Sequence, residues 1–349
     1  MQEKARRSLA LLKFSHIRLL TTAILARVPV SVWNAWTPMP SPSLFDLQVN
    51  GYAGVDFQRA GMAQGELRRA VDALHAHETR RIFLTLISAE PDALCRQFER
   101  IEQFRKADPL IAETICGYHL EGPFLSPLEG FRGAHPAAVQ RAPDFATFER
   151  MQSAAGGGIR LITLAPESPG SAEFIADAVR CRVVVSLGHT DASEAQIDCA
   201  IRAGASLCTH LGNGVPQMLP RHDNIVQRLL ARDELTACFI PDGVHLPPFV
   251  LRNLFRAKPP GKVLLTTDAM AAAAAPPGRY TLGAIEVESR DGAVREPGCA
   301  HLAGSCLTPE RGVANAREWL GISDDEARAM FSTRAADLFG IALPQITSR

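Results

Sequence analysis

Apolar and β-branched residues recur in short runs from residue 45 onward, separated by longer segments with a helical repeat of apolar positions. The short runs have the length and composition of strands. They span 45–49, 82–87, 115–120, 160–164, 183–187, 206–210, 237–240 and 263–267. The clearest helical segments span 64–78, 91–106, 171–180, 192–203 and 247–257. The pattern therefore predicts eight strands that alternate with helices.

Continuous apolar strands that alternate with helices are typical of a parallel sheet whose two faces are both covered. Eight such units close most simply into a (β/α)8 barrel, so we predict an α/β protein of the TIM-barrel type over residues 44–340. An open doubly wound sheet is the alternative. That fold would place a G-x-G-x-x-G turn after an early strand, and the glycines at Gly51 and Gly54 do not form one.

Three segments flank or interrupt the predicted barrel. Residues 1–43 contain six Lys/Arg and one acidic residue, and Arg27 interrupts their most apolar stretch, so we expect an N-terminal extension that does not span a membrane. Residues 278–300 alternate in polarity and predict a β-hairpin inserted after the last strand. Residues 341–349 are predicted to be a C-terminal tail. Because neither end has a clear strand pattern, little or no β-sandwich is expected beside the barrel.

Composition and charge exclude several classes of protein. The hydrophobic fraction of 46% is large enough for a sizeable core. The 37 basic and 37 acidic residues balance, which argues against nucleic acid or an anionic membrane as a partner. The eight cysteines form no C-x-x-C pair, which indicates reduced thiols and a cytoplasmic location.

Ionisable side chains follow the predicted strands at the points where those strands end. Glu121 follows the third strand, His189 the fifth, His210 the sixth, His245 the seventh and Asp268 the eighth. The carboxyl ends of barrel strands meet at one rim, where barrel enzymes place their chemistry. Two histidines and a carboxylate with an open position are the ligand set of a catalytic divalent metal, which Glu121, His189 and His210 can supply. Asp268 can then act as the general base, and a remaining histidine can stabilise an oxyanion.

Eight segments of the chain together resemble one enzyme family. They read FDLQVNGYAGVDF, HLEGPFLSP, GFRGAHP, SLGHTDAS, THLGNGVPQM, DGVHLPP, TTDAM and LAGSCLT. In this combination and order they resemble the N-acetylglucosamine-6-phosphate deacetylases of the amidohydrolase superfamily. The resemblance implies a metal-dependent barrel enzyme, usually a homodimer, that hydrolyses the acetamide of a small-molecule amino-sugar phosphate and releases acetate.

The resemblance also implies roles for individual residues. The metal ligands would be Glu121, His189 and His210, the proton donor and acceptor would be Asp268, and His135 would contact the substrate near its carbonyl. The positions that match those holding sugar and phosphate are Ala134, His135, Asn213, Gly214, Arg221, His245, Leu302, Ala303 and Gly304. The phosphate-holding arginine of this family can come from the neighbouring subunit.

The first strand departs from the pattern of many amidohydrolases, which carry His-x-His there and bind a second metal. Here the corresponding residues are Gln48 and Asn50, and neutral amides are poor ligands for a transition metal. We therefore predict one catalytic metal per chain. The His₂Glu set suits Zn²⁺, with Fe²⁺ and Mn²⁺ as alternatives.

Other functions remain open from the sequence. The chain could deacetylate another N-acetylated amino-sugar phosphate, including a galactosamine derivative, or hydrolyse a different amide as another amidohydrolase. A catalytically silent sugar-phosphate-binding protein is the remote alternative. The general base Asp268 argues against it, because a binding protein needs no base.

Overall fold

Eight parallel strands form the central sheet of the computed structural model, which describes residues 41–299 and 301–346. They are β1 (Leu44–Val49), β2 (Thr79–Ile87), β3 (Ile115–Glu121), β4 (Ile159–Leu164), β5 (Val184–Leu187), β6 (Leu207–Cys208), β7 (Thr236–Phe239) and β8 (Val263–Leu265). Each strand pairs in parallel with the next one along the chain. The predicted (β/α)8 barrel is confirmed.

The barrel is closed at the seam between β1 and β8. Val49 forms a parallel bridge with Ala269, just beyond β8, and the Asn50 N–H donates to the Ala269 carbonyl at 2.7 Å. The buried carboxylate of Asp46 accepts hydrogen bonds from the hydroxyls of Thr266 and Thr267 across the same seam. Backbone and side-chain contacts together therefore join the first strand to the last.

Helices surround the sheet, and each buries an apolar face. They are α1 (Gln64–Ala76), α2 (Pro91–Ala107), α3 (Pro109–Thr114), α4 (Phe145–Ala154), α5 (Ser171–Arg180), α6 (Glu194–Ala203), α7 (Ile225–Leu230), α8 (Pro248–Ala257), α9 (Pro309–Leu320), α10 (Asp324–Met330) and α11 (Thr333–Phe339). In α1, for example, Leu67, Val71 and Leu74 are fully buried at a spacing of three to four residues. Of the helices that the structure describes, none is both long and apolar enough to cross a membrane.

An antiparallel sheet of three short strands follows β8. Its strands are β9 (Gly278–Leu282), β10 (Ile285–Arg290) and β11 (Ala293–Arg295), and Arg295 forms an antiparallel bridge with Leu302. The sequence predicted a hairpin over 278–300, of which Ala300 lies outside the described residues. The remaining short strands are Ser41–Pro42, Gly51–Tyr52, Val55–Asp56 and Gln345–Ile346.

The predicted terminal segments are only partly described. Residues 1–40 of the predicted N-terminal extension (1–43) and residues 347–349 of the predicted tail (341–349) lie outside the described residues. Residues 42–346 form one compact unit, and within the described ranges no β-sandwich accompanies the barrel.

The two ends of the barrel differ in polarity. At the amino ends of the strands, Phe45 and Phe83 pack edge-on against Phe339 of α11, with ring centroids 6.4 and 4.7 Å apart. Leu161 and Leu264 complete this apolar plug. The plug closes the amino end of the barrel, so a cavity can open only at the carboxyl ends of the strands.

Candidate metal centre and active-site cavity

A cavity of about 380 Å³ opens at the carboxyl ends of the strands. This volume is within the usual range for small-molecule sites. Its polar lining includes Asn50, Glu121, His135, His189, His210, Asn213, Gln217, His245, Asp268, Arg295 and His301. The structure therefore brings together, on one rim, residues that the sequence scatters over more than half of the chain.

Glu121, His189 and His210 form a tight cluster in this cavity. Glu121 Oε1 lies 3.1 Å from His210 Nε2 and 3.4 Å from His189 Nε2, and the two Nε2 atoms are 3.2 Å apart. Ligands held about 2.0–2.1 Å from a tetrahedral zinc ion would be separated by about 3.3 Å. The three side chains thus already have the spacing of one face of such a site, and they form a candidate divalent-metal site.

The surroundings of the two histidines fit Nε2 atoms that face the cluster as ligands. His189 donates its Nδ1–H to the Phe131 carbonyl at 2.9 Å, which fixes the neutral tautomer with Nε2 unprotonated. His210 Nδ1 is buried and has no hydrogen-bond partner among the described residues. A metal ion at the centre of the cluster would satisfy both lone pairs and the carboxylate.

The charges of the cluster point to the same conclusion. Burial acts to raise the pKa of Glu121, but the neighbouring imidazoles of His189 and His210 hold it well below the ordinary value. Burial acts to lower the pKa of His210, yet the hydrogen bond and charge of Glu121 raise it. The cluster thus keeps a charged carboxylate among imidazoles, which are the ligand types of a divalent metal.

Three of the functional side chains come from residues with left-handed backbone. The φ angles are 53° at His189, 28° at His210 and 52° at Asp268. Non-glycine residues adopt this conformation at a cost, and such residues cluster at functional sites. Here the backbone leaves the strand ladder and turns each side chain into the cavity.

Two amides from β1 and its end support the carboxylates of the site. Gln48 donates its Nε2–H to Glu121 Oε2 at 3.0 Å, and Asn50 donates its Nδ2–H to Asp268 Oδ1 at 2.6 Å. The sequence had marked both residues only as absent metal ligands. Their contacts orient the carboxylates of Glu121 and Asp268.

The carboxyl group of Asp268 is buried, although it lies in the wall of the cavity. Burial and the charge of Glu121 raise the pKa of Asp268 to about 7, against the opposing effects of His210 and His245. A carboxylate of this basicity accepts a proton near neutral pH more readily than an ordinary aspartate.

His135 is held in the tautomer that carries its proton on Nε2. Its Nδ1 lies 2.9 Å from Ser88 Oγ and accepts the Ser88 backbone N–H at 3.4 Å. Its Nε2 lies 3.9 Å from Glu121 Oε2. Burial and the neighbouring His189 lower the pKa of His135 to about 3, so the ring is neutral and offers one N–H to the cavity.

The residues predicted to hold sugar and phosphate fall into two groups. Ala134, Asn213, Gly214, His245, Leu302 and Gly304 line the cavity, and Ala303 is buried behind it. His245 donates its Nδ1–H to Asp242 at 2.6 Å, which leaves Nε2 available. Arg221 differs, because it is exposed and lies outside the cavity lining of its own chain.

Sequence reasoning missed two basic residues of the cavity, Arg295 and His301. Both lie in the inserted sheet and the loop that follows it, where no strand of the barrel indicated their position. His119, which lies near the cluster along β3, is instead buried and bonded to Thr163 Oγ1 at 2.7 Å. Burial lowers the pKa of His119 to about 4.

A (β/α)8 barrel with a Glu-His-His cluster able to hold a metal ion, and an aspartate after its last strand, has the architecture of a metal-dependent amidohydrolase. No family model matches the chain. The chain is, however, 31% identical over 304 residues to the N-acetylglucosamine-6-phosphate deacetylase of Bacillus subtilis. This match covers 86% of this chain and 75% of the relative. The chain belongs to the N-acetylglucosamine-6-phosphate deacetylase family.

Two further comparisons agree with this assignment. The N-acetylgalactosamine-6-phosphate deacetylase of Escherichia coli O157:H7 is 30% identical, over 91% of this chain and 83% of the relative. Among solved structures, a mutant of the Mycobacterium smegmatis deacetylase in complex with N-acetyl-D-glucosamine-6-phosphate is 32% identical and matches with a TM-score of 0.79. That match covers 88% of this chain and 80% of the other.

Proposed function

We propose that the protein hydrolyses the acetamide of N-acetylglucosamine 6-phosphate to glucosamine 6-phosphate and acetate. The observation that carries the proposal is the buried Glu121, His189 and His210 cluster, which shares one cavity with the basic carboxylate of Asp268. Family membership gives the same activity. A binding protein would need neither the metal ligands nor the base.

The metal of the proposal is one divalent ion per chain, held by Glu121, His189 and His210. A bound Zn²⁺ would supply Lewis-acid activation of the amide carbonyl and of a water molecule. Two imidazoles and a carboxylate suit zinc, with Fe²⁺ or Mn²⁺ as the alternatives. Gln48 and Asn50 support a single catalytic metal, because their N–H groups are already donated to Glu121 and Asp268.

Asp268 carries the proton in this mechanism. Its Oδ1 accepts from Asn50, so Oδ2 is the atom that takes a proton from the attacking water. The same carboxyl group then gives that proton to the amine nitrogen as the C–N bond breaks. The raised pKa suits both steps, since a group of pKa near 7 is an effective base and an effective acid at neutral pH.

His135 is assigned to the carbonyl oxygen of the substrate. Its Nε2–H faces the cavity near Glu121 because Nδ1 is occupied by Ser88. A neutral N–H donor stabilises the negative charge that develops on this oxygen during attack. The low pKa of His135 keeps the ring neutral, so it acts on this oxygen as a hydrogen-bond donor and not as a cation.

Phosphate recognition is assigned to His245 in the chain's own cavity and to Arg221 of a neighbouring subunit in a homodimer. Asp242 accepts the Nδ1–H of His245 and so leaves Nε2 free to face a phosphate. Arg221 is exposed on a segment that also exposes 89% of the Met218 surface, which supports a subunit contact there.

A reducing compartment such as the cytoplasm is the proposed location of the protein, since the eight cysteines are free thiols.

The first experiment measures acetate release from N-acetylglucosamine 6-phosphate before and after chelation, and again after zinc is added back. Chelator-sensitive turnover that zinc restores is the expected result. The galactosamine isomer and the unphosphorylated sugar are tested in parallel, because one relative is a galactosamine-phosphate deacetylase. Absence of turnover with all three by a protein that holds its metal would refute the proposed function.

A further inference from the structure

A second group of potential metal ligands lies outside the site described above. Glu296, Cys299 and His301 follow β11, on the loop that leads back to Leu302. One potential ligand atom from each residue lies within 4.8 Å of the others. His301 also lines the active-site cavity, so this group, which we call the rim cluster, borders the entrance to that cavity.

The rim cluster has a spacing that fits a transition metal. His301 Nε2 lies 3.3 Å from Glu296 Oε2, close to the separation of about 3.3 Å between N and O ligands of a tetrahedral zinc ion. A thiolate, an imidazole and a carboxylate suit Zn²⁺ and Co²⁺, whereas Mg²⁺ and Ca²⁺ prefer oxygen ligands. Glu296 and His301 each keep nearly half of their side-chain surface exposed, so an ion and a water ligand can reach them.

The backbone shapes the loop around these three side chains. The Cys299 N–H donates to the Glu296 carbonyl at 3.0 Å, which forms a turn between two of the ligands. The Arg295–Leu302 bridge closes the loop at its base. These two backbone contacts hold Glu296 near Cys299 and fix the base of the loop beside Leu302.

We propose that Glu296, Cys299 and His301 bind a divalent transition metal of the zinc type, distinct from the catalytic ion. Such an ion fixes the loop that carries Leu302 and Gly304 to the cavity wall. The inference goes beyond the deacetylase activity and does not depend on it. The rim cluster contains a thiol and the Glu121 cluster contains none, so cobalt spectroscopy can distinguish the two sites.

The test is a titration of reduced, metal-free protein with Co²⁺, followed by absorption spectroscopy. We expect d–d bands from both sites and, in the near ultraviolet, a thiolate-to-cobalt charge-transfer band from Cys299 of the rim cluster. Cys299→Ser is expected to remove the charge-transfer band, to lower bound metal by one equivalent per chain and to keep the remaining d–d bands. Cys181→Ser, at another exposed thiol, is the matched control and is expected to keep both signals.

Two results would overturn the proposal: no charge-transfer band in the wild-type protein at saturating Co²⁺, or a band that persists in Cys299→Ser. Glu121→Gln separates this question from the proposed function. It is expected to weaken the catalytic site while the charge-transfer band remains, so that failure of either site is observed independently.

Discussion

Gly214→Ala tests the role of His189 without changing any predicted metal ligand. A β-carbon at Gly214 would lie 2.8 Å from His189 Nδ1 and 3.0 Å from Cε1, closer than van der Waals contact allows. The ring would have to move by several tenths of an ångström. That movement disturbs the 2.9 Å hydrogen bond from Nδ1–H to the Phe131 carbonyl and displaces Nε2 from its 3.4 Å separation to Glu121.

The expected loss of metal affinity follows from this displacement. Changes to the groups that orient a metal-binding histidine typically cost 10- to 100-fold in affinity, or about 1.4–2.8 kcal/mol. A separate backbone cost of about 1–2 kcal/mol arises because alanine would adopt the left-handed φ of 63° at this position. The backbone cost lowers the stability of the metal-free protein, whereas the displacement of His189 lowers metal affinity.

Gly340→Ala isolates the backbone cost. Gly340 has a φ of 62°, and a β-carbon there would meet nothing within 4 Å. We expect both variants to lose similar stability in urea unfolding of the metal-free protein, and only Gly214→Ala to lose metal affinity. Affinity is measured by competition with a chromophoric chelator, in a Cys299→Ser background so that only the catalytic site is titrated.

Equal metal affinity in the two alanine variants would refute the reasoning. It would mean that His189 either tolerates the intruding β-carbon or is not a ligand. Gly133→Ala provides an independent check, because its β-carbon would lie 2.9 Å from His189 Cε1 on the loop that contains Phe131. If both substitutions leave affinity unchanged, displacement of His189 does not weaken the site and the reasoning fails.

Four further predictions concern the proposed roles. Asp268→Asn is expected to lower kcat by several powers of ten in acetate-release assays while metal affinity stays nearly unchanged, because asparagine keeps the shape and tolerates the φ of 52° but removes the base; full activity would contradict the mechanism. Because the pKa of Asp268 is raised in the folded protein, this carboxyl group ionises at a lower pH in the unfolded chain than in the folded one. The metal-free protein should therefore lose stability as pH rises from about 4 to about 7. Urea unfolding across that range should show this loss, and Asp268→Asn should reduce it. His245→Ala and Arg221→Ala should raise KM for the phosphorylated substrate more than they lower kcat, and equal losses on the unphosphorylated sugar would exclude a phosphate role. Gln48→Ala should weaken metal binding by about tenfold, since it removes the hydrogen bond to Glu121, and an unchanged dissociation constant would show that this bond is dispensable.

The hydrophobic pattern predicted the barrel because each strand is a continuous apolar run. It placed strand ends less well where the chain turns into the site. The run 206–210 predicts a strand through His210, but the observed β6 is only Leu207–Cys208. His210 has a positive φ and cannot continue the ladder, a conformation that no hydrophobic pattern reveals. The same local turn that shortens the strand directs the side chain into the cavity.

The predicted clustering of Glu121, His189 and His210 required only barrel geometry, since parallel strands bring their carboxyl ends to one rim. The supporting contacts required three-dimensional packing. Gln48 and Glu121 are 73 residues apart, and nothing in their local sequence indicates a hydrogen bond between them. Arg295 and His301 were missed because they reach the cavity from the inserted sheet, whose position relative to the barrel the sequence pattern does not specify.

The left-handed residues explain why the site is both specific and costly. A histidine at φ 53° or 28° is less stable there than glycine would be, and each such residue costs on the order of 1–3 kcal/mol. Glycine would relieve the strain at His189 or His210, but it would remove a nitrogen from the cluster. An extended backbone would also relieve the strain. The side chain would then point in another direction, and its Nε2 would no longer lie 3.1–3.4 Å from Glu121. The barrel therefore has to supply the stability that these residues cost, which it does through its sealed apolar end and the joined seam between β1 and β8.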